Sequence, residues 1–194
     1  AEVPWEAHVP RIAPIAWEDL DEAARRRMEE GMATGMYTMT LPMQIVAHSP
    51  VALQAMDESY RAVFGRAAVG PRIIELMRLR SAQLGGCAPC SQSRKDESIT
   101  EDDVACLVDP ERAGSDRREQ LAIRLVDLMA TDHHAIDADF FRNLAEVFTV
   151  EEIVEIGWYA GNLVGGHRFM HILDALGTDA PVVASGGVST LDDL

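Results

Sequence analysis

Two cysteines separated by two residues are the sharpest chemical feature of this chain. Cys87 and Cys90 stand in the stretch ELMRLRSAQLGGCAPCSQSR, residues 75–94. Two thiols three apart near the start of a helix share one short turn, where backbone N–H groups and the helix dipole favour a thiolate. The second sulfur is then close enough to resolve a sulfenic acid or a mixed disulfide formed on the first. Half of a zinc site and plain structural thiols are the rival readings. A tetrahedral zinc site needs two more ligands, and the sequence has no second Cys-x-x-Cys and no close Cys/His pair. The spacing does not say which cysteine attacks. Cys106 stands alone in an apolar helical stretch and is expected as a small core residue.

Other residues could take part in proton transfer or charge stabilisation. Glu75 is a carboxylate in an apolar helical run, which is what a general base would look like; it could equally pair with Arg78. On one continuous helix Glu75 and Cys87 would not share a face, but the Gly85-Gly86 break permits their approach. Arg94 is four residues past Cys90 and so shares its face. A guanidinium there stabilises a thiolate but cannot act as a base; the alternative is a solvated pair with Glu97 or Glu101. His167 and His171, four apart, read as satisfied histidines, as a polar pair facing the thiols, or as two metal ligands without an evident third. His133-His134 reads as a loop pair, and Trp158 and Tyr159 as core or pocket wall.

The sequence around these residues is helical in pattern throughout. A helix is expected over 18–31, with early acids and later Arg25-Arg26-Arg27 matching the dipole. The next stretch carries Met32, Met36, Met39 and Met43, which can line a pocket but more often fill irregular core gaps. Ser49-Pro50 opens a second helix, Gly70-Pro71 punctuates before the Glu75 helix, and Cys90 begins or lies within the next. Thr100 to Asp103 resembles a capping box, Pro110 to Gly114 is a loop, and Ser115 is expected to cap a long helix through Leu121, Leu125, Leu128 and Met129. Asp137 caps the helix of Phe140, Phe141, Leu144 and Val147. Thr149 with Glu152 opens the last helix, over 150–176, ending at Gly177. Gly157, Gly161 and Gly165 make a bare stripe on it, a device for close helix packing. Residues 1–16, with Trp5, Ile12 and Ile15 as anchors, read as an extended arm, and 178–194 as a tail of small and polar residues.

Composition narrows the classes of function. The 194 residues suit a single all-helical domain with a sizeable core. The formal charge of −15 argues against nucleic acid as a partner, because phosphate binding needs clustered Lys and Arg, and reads as a solvated acidic surface. No apolar run is long enough for a membrane span, and AEVPWEAHVP has no signal-peptide pattern. Three cysteines, two of them in Cys-x-x-Cys, suit a reducing cytoplasm and a redox-active pair rather than a disulfide scaffold.

The order of these features resembles the carboxymuconolactone decarboxylase / alkylhydroperoxidase D-like family. That family's pattern is a helical Glu, a Cys twelve residues on, a second Cys three beyond it and a His four further. Glu75, Cys87 and Cys90 match in type and spacing, the likeness being densest over residues 71–108 and weaker over 115–177. The resemblance implies an all-α bundle of about seven to eight helices, assembly as a homotrimer or homohexamer with the thiol site near a subunit interface, Cys90 as attacking thiol and Cys87 as resolver. It also implies that the last helix supplies pocket residues, which makes His167 a candidate. Where the family's relay His stands, this chain has Arg94. The relay is then rebuilt from another residue, Glu75 first and His167 second, or the chemistry differs.

The resulting expectation is a thiol-dependent peroxidase or disulfide reductase acting on a small-molecule peroxide, recharged by a thiol reductant, with no bound cofactor and no metal. Two alternatives remain beside it. One is a non-redox decarboxylase or lyase of the same scaffold, with Arg94 holding a substrate carboxylate. The other is a helical oligomer that senses redox state without turnover.

Overall fold

The computed structural model describes residues 10–109 and 116–175, and every regular element among them is helical. In chain order these are α1 (Glu22–Ala33), α2 (Leu41–Val46), α3 (Pro50–Arg66), α4 (Pro71–Leu84), α5 (Ala88–Gln92), α6 (Glu101–Cys106), α7 (Arg117–Thr131), α8 (Ala138–Ala145) and α9 (Val150–Leu173). Single 3₁₀ turns occupy Trp17–Asp19 and His133–Ala135. The all-α expectation holds. The arm residues 1–9, the Pro110–Gly114 loop, Ser115 and the tail from 178 lie outside the described residues.

Side-chain caps set most boundaries. Asp21 accepts from the Ala24 N–H at 2.7 Å, so α1 begins at Glu22 and Trp17–Asp19 stays a 3₁₀ turn rather than the first turn of a helix over 18–31. Thr100 and Asp103 cap each other's backbone at α6, and Thr149 and Glu152 do the same at α9. Asp137 caps α8 as expected. The cap of α7 is Asp116, whose carboxylate reaches the Arg118 N–H, one residue past the expected Ser115. The short α2, inside the Met-rich stretch, was not expected; Pro42 lies in its first turn, where a missing N–H has no partner to lose. Helix α9 stops at Leu173, before Gly177, and Asp174 (φ 51°) takes the left-handed conformation that ends helices.

The described residues divide into two compact units, 10–66 with 169–175, and 67–109 with 116–168. The first has a core of Leu20, Ala24, Met28, Ile45, Val46, Leu53 and Leu173, with Met43 and Met56 packed against it, so Met43 fills core space. Within this unit Asp57 is fully buried. It accepts from the Tyr37 hydroxyl at 2.6 Å and from Arg27 and Arg61 at 2.9 Å each. Burial raises its pKa, but the bonds from Arg61, Tyr37 and Arg27 outweigh that and hold the carboxyl below its ordinary range. Gly31 is required beside it, because a Cβ there would overlap the Tyr37 ring.

The second unit is built around α4. Gly70 (φ 89°) turns the chain into it, Pro71 begins it, and every residue from Ile73 to Ala82 is buried. A helix buried all round must neutralise its own charges. Arg80 does so through Asp127 of α7 at 2.5 Å, and Glu75 through Arg78. Helix α7 is the main packing partner of α4. Leu76 and Leu79 pack with Ile99, Leu107 and Ile123, each buried leucine contributing about 1.5–3 kcal/mol of transfer free energy.

The glycine stripe of α9 does not pack as expected. A Cβ at Gly157 or Gly165 would meet nothing within 4 Å, and one at Gly161 only the Met129 methyl at 3.6 Å. Among the described residues only the Met129 side chain of α7 comes near this face. Cys106 is half-buried and free rather than a core residue.

Candidate functional site

Helix α4 ends at Gly85, and Gly86 (φ 66°) reverses the chain into Cys87, whose N–H bonds back to the Ala82 carbonyl at 3.0 Å. Helix α5 starts one residue later and holds Cys90 in its single turn, with the Ser91 N–H on the Cys87 carbonyl at 2.9 Å. This turn brings the Cα atoms of Cys87 and Cys90 to 5.3 Å, and the two sulfurs are joined in a disulfide. Cys87 is buried, 6% exposed, and Cys90 is half-buried. Five residues of helix carry little macrodipole, so any thiolate here needs other support than the one the sequence suggested.

Glu75 lies beneath this turn, one turn along α4 from Arg78. Both are 1% exposed. They form a two-pronged ion pair, with Arg78 Nε on Oε2 and an Nη on Oε1, each at 2.7 Å. Arg78 also donates to the Cys90 carbonyl at 2.5 Å and the Ser93 carbonyl at 2.8 Å. Glu75 Oε1 accepts a third bond, from the Lys95 N–H at 2.8 Å. Glu75 therefore does meet the cysteine turn, across the Gly85-Gly86 break, but through Arg78 and the backbone. Both its oxygens are occupied, which makes it a structural anion here rather than an open base. The half-buried Lys95 ammonium has its pKa lowered, first by burial and then by the Arg78 charge.

Arg94 points elsewhere. Its guanidinium donates to the Ser91 and Ser93 carbonyls at 2.8 and 3.0 Å and to the Glu101 carboxylate at 2.9 Å. Glu101 is the partner one of the two sequence readings named, and its side chain is 82% exposed. The pair ties the segment after α5 to α6.

His167 of α9 reaches α4 from the other side. It is 1% exposed, and its Nδ1 shares a hydrogen bond of 2.9 Å with Ser81 Oγ, the direction set by the imidazole tautomer. Its backbone presses on Gly85, where a Cβ would stand 2.8 Å from His167 Cβ. Burial first, then the charges of Arg78 and Arg168, push its pKa down to about 3, so the ring is neutral near pH 7. His171 on the same helix is exposed, so the two histidines do not act as one buried pair. Among the described residues no group of His, Cys, Asp or Glu could hold a metal ion. His133 and His134 are exposed with ring centroids 4.1 Å apart. Tyr159 is buried and Trp158 exposed.

The structure thus brings together Cys87, Cys90, Glu75, Arg78 and Lys95, sets His167 and Ser81 against the Gly85 end of the same helix, and directs Arg94 to Glu101. Arg78 and Ser81 are the residues that sequence reasoning missed. Arg78 did appear, but only as a neighbour of Glu75; nothing in its spacing signals carbonyls twelve and fifteen residues on (78 to 90 and 93). No helix among the described residues is long and apolar enough to cross a membrane. Comparison of the chain with protein-family models, with curated proteins and with solved structures finds no match in any of the three.

Proposed function

We propose that this protein is a thiol–disulfide oxidoreductase that reduces small peroxides, in the manner of the alkylhydroperoxidase D-like proteins it resembles. The observation that carries the reading is the bonded Cys87–Cys90 pair, with Cα atoms 5.3 Å apart, at the start of a one-turn helix whose backbone is tied to a buried ion pair. Cys90 is the more exposed of the two residues and, as the resemblance implies, the attacking thiol. Its thiolate attacks one peroxide oxygen, the O–O bond breaks, and the alcohol or water leaves with a proton. The sulfenic acid then condenses with the Cys87 thiol, releasing water and forming the disulfide. A thiol reductant returns two electrons and two protons to regenerate the dithiol. The reaction as written needs no bound cofactor.

Proton delivery falls to residues other than Arg94, whose guanidinium stays charged and is bonded to Glu101. The neutral His167 imidazole, bonded to Ser81, can pass a proton from one ring nitrogen to the other without bearing lasting charge. The resemblance further implies a homotrimer or homohexamer. Exposed Val154 and Trp158 on α9 support a surface that a second copy covers.

The test is peroxide consumption by the full chain with dithiothreitol as reductant. Wild type should turn over hydrogen peroxide or tert-butyl hydroperoxide, and Cys90→Ser should not, while Cys106→Ser should behave as wild type. Consumption by wild type no faster than by a Cys87→Ser/Cys90→Ser double variant would overturn the reading. An activity on a carboxylated substrate that survived loss of both cysteines would favour the carboxy-lyase alternative.

A further inference from the structure

Arg78 makes four hydrogen bonds with one guanidinium, and they fall on two different parts of the chain. Two go to the Glu75 carboxylate, one turn back on α4. The other two go to the carbonyls of Cys90 and Ser93, which belong to the dithiol turn and its exit. The Glu75 carboxylate adds the Lys95 N–H from the same exit. Helix α5 has five residues and too few intrahelical bonds to hold itself. Three backbone anchors of the dithiol turn and its exit, at positions 90, 93 and 95, run to one buried ion pair on α4.

We propose that Arg78 is a positioning residue that holds Cys90 against Cys87 and so sets how strongly the pair favours the disulfide. The inference rests on the dithiol-exchange reading above. Forming the disulfide from the dithiol is an intramolecular step whose favourability follows the effective concentration of one sulfur at the other. A turn clamped at the Cys90 carbonyl keeps that concentration high; a loosened turn lowers it and shifts the equilibrium toward dithiol. Arg78 also carries charge, and a bare cation would act oppositely by stabilising the Cys90 thiolate. Glu75 neutralises that charge at 2.7 Å on two donors, so the field at the sulfur is that of a dipole, and the positioning effect dominates.

The experiment equilibrates the full chain with glutathione and its disulfide and measures the fraction of Cys87–Cys90 disulfide by trapping free thiols. In each exchange a glutathione thiolate attacks one protein sulfur, the protein S–S bond breaks, and a second glutathione takes the mixed disulfide to oxidised glutathione; two electrons and two protons enter the pair. Arg78→Lys keeps the charge but lacks the fork that reaches Glu75 and two carbonyls at once. A Glu75→Gln/Arg78→Met double variant removes both charges together, which leaves no buried ion unpaired and keeps the test available if the lysine variant does not fold. Asp127→Asn is the comparison: it breaks another buried ion pair of α4, away from the cysteines.

The expected result is a shift of about tenfold toward dithiol in the clamp variants, about 30 mV for a two-electron couple. Asp127→Asn should lower the thermal midpoint and leave the glutathione equilibrium within twofold of wild type. Clamp variants within twofold of a wild type that cycles normally would overturn the role of Arg78 and leave the dithiol reading standing. A shift in Asp127→Asn as large as that in Arg78→Lys would also overturn it, since general loosening of α4 would then suffice. A wild-type pair that does not equilibrate with glutathione at all would overturn the dithiol reading, and this inference with it.

Discussion

His167 of α9 and Ser81 of α4 share a buried hydrogen bond of 2.9 Å at the end of the helix that leads into the cysteine turn. The imidazole is held neutral, its pKa pushed down to about 3 chiefly by burial. In the unfolded chain the same ring titrates near 6.5. Between those values the unfolded state binds a proton that the folded state does not. Stability therefore rises with pH across that window and is lost as pH falls from about 6.5 toward 3. His167→Asn keeps a nitrogen or oxygen near the Nδ1 position but does not titrate. Urea denaturation at pH 7 and pH 4.5 should show wild type losing about 2–3 kcal/mol more than His167→Asn. Equal losses in the two proteins would mean that the ring is charged, or free to charge, in the folded state.

Gly85 is small because α9 lies against it. A Cβ there would stand 2.8 Å from His167 Cβ, 3.1 Å from the Ser81 carbonyl oxygen and 3.3 Å from the His167 carbonyl carbon. Two of these three atoms are backbone, so no side-chain rotation relieves the overlap. Gly85 itself has ordinary helical φ, so the cost is steric and not conformational. Gly85→Ala should lose about 1–3 kcal/mol, read from the shift in denaturant midpoint at constant slope. A variant as stable as wild type would show that α9 can move away from this end of α4.

Much of this architecture was legible because it is written locally. Thr100 with Asp103, Asp137, and Thr149 with Glu152 are short-range devices, and each caps the helix its letters announce. The Gly70-Pro71 and Gly85-Gly86 breaks are equally local. What failed depended on distant packing. Glu75 followed by Arg78 reads as a common solvated pair, and only the burial of α4 on every side turns it into an anchor for residues 90–95. Similarly, His167 and His171 are equivalent by spacing, but only His167 lies against α4, where it meets Ser81, and His171 is exposed. The glycine stripe announces close packing but not with what, and nothing described lies over Gly157 or Gly165.

Arg94 occupies the position where the resembling family carries a histidine, yet its bonds run to Ser91, Ser93 and Glu101. An ion pair with a mostly exposed partner contributes at most about 1 kcal/mol. Arg94→Ala should therefore change stability by no more than about that amount, and the rate of Cys90 alkylation in the reduced protein by less than about twofold. The pH dependence of iodoacetamide labelling measures the second quantity. A tenfold slower reaction at neutral pH would place the guanidinium beside the thiolate after reduction. Arg94→His then becomes informative: with the relay running through His167, peroxide turnover should be kept or increased.

Assembly is the remaining expectation. Val150, Val154 and Trp158 follow one another four residues apart on α9, so they share a face, and all three are well exposed, Trp158 at 69%. Gly161 and Gly165 continue that face without side chains. A large aromatic next to a bare stripe gives one helix both a projection and a recess. Copies of this surface can therefore fit one another, burying apolar area that an isolated chain leaves in water. The resemblance sets the expected order as a trimer or a multiple of three. Light scattering at micromolar concentration should give a mass of three or six times 21.3 kDa. Trp158→Asp places a charge at the centre of that face, where burying it unpaired is costly. That variant should fall toward the mass of one chain while keeping its helical circular dichroism. A wild-type protein that already scatters as a monomer would contradict the expectation, and a Trp158→Asp protein that stays assembled would move the interface off α9.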